Sequence, residues 1–86
     1  MYKLSPNQLS SKLDASTAIL NYQAGTYYGL NEVGTCVWEK LAQGPATFEA
    51  VRAHVLAHYD VDERTCTEDL QHLLAELTRE KLVETV

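Results

Sequence analysis

The chain changes character near residue 31. Before it, Ser, Thr, Asn, Gln and Tyr dominate, and short apolar runs alternate with polar residues. After it, Leu, Ala, Val and Glu dominate, and apolar residues recur at helical spacing. One switch of period, from two residues to about 3.6, calls for a small sheet followed by helices, an α+β fold. With 86 residues there is room for one domain, spanning 1–86, and neither a linker nor a repeat divides it.

The first part reads as three short strands within residues 8–30. Gln8 to Leu13 alternates weakly. Asp14-Ala15-Ser16 is a polar turn before Thr17 to Tyr22. Gln23-Ala24-Gly25 is a second turn, and Gly25 is free to take positive φ. Thr26-Tyr27-Tyr28-Gly29-Leu30 is rich in strand formers. Two short turns joining three strands predict an antiparallel meander. Gly29 lowers strand propensity there but admits a close neighbouring backbone.

Three helices follow, over 32–43, 47–59 and 63–81. Asn31 is a natural N-cap, and Glu32 places a negative charge in the first turn. Val33, Val37, Trp38 and Leu41 make an apolar stripe, and Gly44-Pro45 ends the helix. Thr47 caps the second helix, with Phe48, Val51, Val55 and Tyr59 on its inner face. The third helix starts at Asp62 or, through a capping box of Thr65 with Glu68, three residues later. Its stripe is Cys66, Leu70, Leu73, Leu74 and Leu77. Leu82 and Val83 form a tail packed back on the bundle. A three-stranded sheet ahead of a three-helix bundle has a winged helix-turn-helix outline.

Several function classes fall away. Seven Lys and Arg against 12 Asp and Glu leave a net charge of −5, which repels phosphate backbones. From Glu63 to Lys81 there are five acidic and three basic residues, the wrong sign for a DNA-reading helix. A winged-helix DNA-binding regulator is therefore the alternative reading, not the leading one. No apolar run reaches membrane-span length, and the first residues lack the apolar stretch of an export signal. With only two cysteines, a cytoplasmic, reduced setting is expected.

Catalytic constellations are missing as well. Cys36 and Cys66 lie in or beside core stripes and read as inert thiols. His54 and His58 stand at i and i+4, so both can face one metal ion. No Glu follows His54 in the metalloprotease pattern, and no third ligand is evident. The pair reads as half-exposed histidines flanking the core stripe. No catalytic residue, metal or cofactor is expected.

Two surfaces remain for a partner. One is the third strand, whose unpaired edge can accept another chain as a new strand. The other is the third helix, with Asp69, Glu76 and Glu80 on one flank and Thr67, Gln71 and Thr78 on the other.

Taken in order, these residues form a pattern. A tyrosine-bearing strand ends in Leu30-Asn31-Glu32 and leads into a helix with Gly34 and Trp38. The Gly44-Pro45 break, Tyr59-Asp60-Val61-Asp62, Asp69-Leu70 and Leu73-Leu74 follow. Over residues 8–84 the chain resembles the PqqD-like family, the precursor-peptide recognition elements of ribosomally made, modified peptides. The resemblance implies a non-catalytic domain that binds a precursor's leader segment. The leader would add as a strand to Thr26, Tyr27, Tyr28, Gly29 and Leu30. It would lie in the groove against the third helix, residues 62–81. The core stripe of that helix reaches its edge at Leu73, so Asp69, His72, Leu73, Glu76 and Leu77 are the residues expected to face the leader. The stand-alone length is similar to that of the recognition protein of split lasso-peptide systems, which implies a leader-cleaving cysteine peptidase or another modifying enzyme as second partner. An unfilled strand edge also invites a weak homodimer.

Overall fold

The structure is a computed structural model and describes residues 1–6, 8–14 and 16–86. Within them the elements run β1 (Tyr2–Leu4), β2 (Leu9–Leu13), β3 (Ser16–Asn21), β4 (Thr26–Leu30), α1 (Glu32–Ala42), α2 (Phe48–His58), α3 (Glu63–Arg79) and β5 (Val83–Thr85). The expected meander is β2-β3-β4. The turn residue Ala15 lies outside the described residues. Beside it Asp14 takes φ 56°, and the Ser16 hydroxyl donates to the Leu13 carbonyl at 2.9 Å.

One side chain builds the β3–β4 turn. The Asn21 amide oxygen accepts from the backbone of Gln23 and of Ala24, both at 3.1 Å. Gly25, at φ 72°, donates to the Asn21 carbonyl at 2.8 Å. The Asn21 amide nitrogen also donates to the Glu80 carbonyl at 3.3 Å. The hairpin tip is thereby tied to the end of α3, which sets β4 in place against that helix.

The helix starts follow local chemistry. Side chains of Asn31, Thr47 and Asp62 accept from the backbone of Gly34, Ala50 and Thr65 at 2.8, 3.1 and 3.1 Å. Asp62, not Thr65, is thus the cap of α3. The ends fall short of expectation. Gln43 and Tyr59 are C-caps, and α3 stops at Arg79 rather than residue 81. Lys81 takes φ 60°. Its amide donates to Thr78 at 3.0 Å, and that of Leu82 donates to Leu77 at 2.9 Å. These two bonds are a Schellman motif, with lysine where glycine is usual.

The chain ends form a second sheet that periodicity does not reveal. β1 pairs antiparallel with β5, matching Tyr2 with Thr85 and Leu4 with Val83. Tyr2 and Ala46 also exchange backbone hydrogen bonds at 2.7 and 2.9 Å. The expected tail is therefore a strand, and it buries Leu82 and Val83. The core between the three-stranded sheet and the helices holds Ile19, Leu30, Val37, Trp38, Leu41, Val51, Val55, Leu70, Leu74 and Leu77. A buried hydroxyl pair, Thr17 with Thr35 at 2.9 Å, bonds β3 to α1 inside it.

Candidate functional site: a strand edge beside an apolar groove

Among the described residues β4 pairs only with β3, so one of its edges is free. Its side chains alternate between faces. Tyr28 and Leu30 turn inward, opposite Ile19 and Thr17 of β3. Tyr27, 76% exposed, lies on the outer face in a cross-strand row with Leu9 and Leu20. The two adjacent tyrosines therefore serve different surfaces.

Next to this edge lies a groove of about 470 Å³ between α3, α2 and the start of α1. Leu70 and Val55 form its floor, and Val33, Val61 and Leu73 its apolar walls. Asp69, His72 and Glu76 stand on its rim. Gly34 is needed beside it. A Cβ there would lie 3.1–3.3 Å from Leu30 and the Asn31 side chain, so glycine lets α1 close down on the end of β4.

Tyr28 connects strand and helix. Partial burial first, and then the nearby Glu76 carboxylate, hold its acidity below that of an ordinary tyrosine and raise its pKa. The phenol stays protonated, a donor at the mouth of the groove. Glu76 is also 3.7 Å from the Arg79 guanidinium. A cationic ligand reaching Glu76 would compete with that neighbour.

The structure brings together most of the residues expected from the sequence. Thr26 to Leu30 form the free edge, and Asp69, His72, Leu73 and Glu76 line the groove. Leu77 is corrected: it is 0% exposed and belongs to the core. Leu30 is 4% exposed, so it offers a ligand its backbone but almost no side chain. Val33 and Val61 were not expected here. The helical pattern assigns Val33 to the core, yet α1 turns it toward the groove.

Residues 16–83 match the PqqD family, described as Coenzyme PQQ synthesis protein D. The chain belongs to the PqqD family. Among solved structures it is similar to TbiB1 in complex with the TbiA(beta) leader peptide, at 33% identity and a TM-score of 0.88, over 98% of this chain and 96% of that one. It shares its fold with a lasso peptide synthetase B1 complexed with the leader peptide, at 19% identity and a TM-score of 0.81, over 98% of each chain. No curated protein is similar enough to count as a match.

This PqqD-family chain has a second cleft, sharing no lining residue with the groove. It is lined by Lys12, Cys36, Glu39, His54, His58 and Tyr59, among others. Here α1 places Cys36 beside the His54–His58 pair, the third group that sequence spacing does not reveal. Burial, then His58 and Lys40, lower the His54 pKa, so its imidazole is held neutral. Lys12 and Glu39 form an ion pair at 2.8 Å. Both cysteines are free and buried, and burial raises the pKa of each thiol. Among the described residues no helix is long and apolar enough to cross a membrane.

Proposed function

We propose that this chain binds the leader segment of a ribosomally made precursor peptide and delivers it to a modifying enzyme. The leader joins β4 as an added strand and lays apolar side chains into the groove against α3. The observation that carries this reading is the free edge of β4 running beside an apolar, acid-rimmed groove. Main-chain pairing supplies affinity, and the groove selects side chains. Support comes from the solved TbiB1 structure, which contains a leader peptide.

The chain acts as a recognition module without chemistry of its own, working in the cytoplasm. Its enzyme partner is the leader peptidase of a lasso-peptide pathway. Without peptide, the same edge self-pairs into a weak dimer that leader displaces.

The test is titration of the isotope-labelled chain with the TbiA(beta) leader peptide, followed by amide chemical shifts. Saturable shifts confined to Thr26–Leu30, the first turn of α1 and α3 are expected. A scrambled peptide should give none. Saturable shifts centred elsewhere, or no binding, would remove the strand-addition reading.

A further inference from the structure

Two helices aim three soft or borderline donors at one point. Cys36 is on α1, and His54 and His58 sit one turn apart on α2. The Cys36 sulfur and one ring nitrogen from each histidine all lie within 4.8 Å of one another. The two imidazole rings are 4.4 Å apart between centroids. His58 Nδ1 is 2.8 Å from the His54 carbonyl oxygen. An Nδ1–H donated there leaves Nε2 as the free lone pair, which is how protein partners prepare a histidine for a metal.

We propose that Cys36, His54 and His58 bind one divalent transition metal of the zinc class, with Glu39 or water as the fourth ligand. A tetrahedral zinc ion, with bonds near 2.3 Å to sulfur and 2.0–2.1 Å to nitrogen, sets its ligands about 3.3–3.6 Å apart. From separations within 4.8 Å, each donor needs to move by only about an ångström. Thiolate and imidazole favour zinc over magnesium or calcium, which take oxygen ligands. The ion replaces the thiol proton, which leaves to solvent. With Glu39 recruited, two negative ligands balance the two positive charges. Glu39 lines the same cleft and would exchange Lys12 for the ion. Cys36 is 8% exposed and anchored in the core, whereas His58 is exposed, so the ion enters from the His58 side. The site pins α1 to α2 and is independent of the leader groove.

The experiment titrates the whole chain with zinc chloride and, separately, cobalt chloride. Zinc should saturate at one equivalent and raise the melting temperature. Cobalt should give a thiolate-to-metal charge-transfer band with the strong visible bands of a tetrahedral site. His58→Ala, at an exposed position, should weaken zinc binding by at least about tenfold. Cys36→Ser should lose the charge-transfer band while Cys66→Ser keeps it. Should Cys36→Ser fail to fold, the cobalt spectrum of the native chain and the His54→Ala and His58→Ala titrations still decide the matter. Absence of one-equivalent saturation, a cobalt spectrum without the thiolate band, or unchanged affinity in His58→Ala overturns the proposal.

Discussion

Leu73→Ala is expected to weaken leader binding more than Asp69→Asn or Glu76→Gln. Leu73 is half-buried on the groove wall, packed on the core from one side and open to a ligand on the other. The substitution removes roughly three carbons, each contributing about 0.8 kcal/mol when fully buried. No more than about a third of that surface is left for a ligand to cover, so the loss is about 0.8 kcal/mol, or roughly fourfold in Kd. Exposed charge pairs contribute only about 0–1 kcal/mol. Glu76 already has Arg79 at 3.7 Å, so its effect belongs at the lower end. A twofold change or less is expected for Glu76→Gln, on the order of 0.4 kcal/mol. Isothermal titration of the three variants with the TbiA(beta) leader peptide reads this order directly. Thermal melts must first show each variant folded, because Leu73 also packs on the core. Leu73→Met keeps the volume and should retain most of the affinity. If either charge-neutralising change costs more than Leu73→Ala, the acidic rim and not the apolar wall is the main determinant.

Three further outcomes are expected. Proline placed in turn at residues 26 to 30 should reduce leader affinity in an alternating pattern among the variants that stay folded, since only alternate amides face the free edge; equal, undiminished affinity at every position would exclude strand addition. Lys81→Gly should stabilise the chain by about 1 kcal/mol, raising the melting temperature by roughly 4–8 °C, because Lys81 sits at φ 60° in the Schellman position; a lowered melting temperature would show that the lysine side chain matters more than the backbone. Tyr28 has a raised pKa in the folded chain, from burial and then Glu76. Its contribution to stability is therefore full below the unfolded tyrosine value near pH 10 and is lost as pH rises through the folded pKa. Tyr28→Phe should remove that alkaline loss, and denaturant melts of both proteins across this range that run parallel would count against Tyr28 as its source.

Several features of this PqqD-family chain were legible in its residues because their causes are local. Asn31 and Thr47 start helices because their side chains accept backbone hydrogens three residues on, and Gly25 turns because it tolerates positive φ. Alternation before residue 31 and helical spacing after it were enough for the α+β layout. The N-cap of α3 was ambiguous between Asp62 and Thr65, since both have capping chemistry, and the folded backbone chose Asp62. Other features were decided only by packing. β1 and β5 have three residues each, too short for a pattern, and they pair across almost the whole chain. A helical wheel puts Leu73 and Leu77 on one stripe, but how α3 meets the rest of the core leaves Leu73 on the groove and encloses Leu77. Tyr27 and Tyr28 are neighbours with equal strand propensity; their faces differ because the β3 register turns Tyr28 inward. Cys36 joins His54 and His58 only when α1 lies against α2, and spacing along one helix carries no information about a ligand supplied by another.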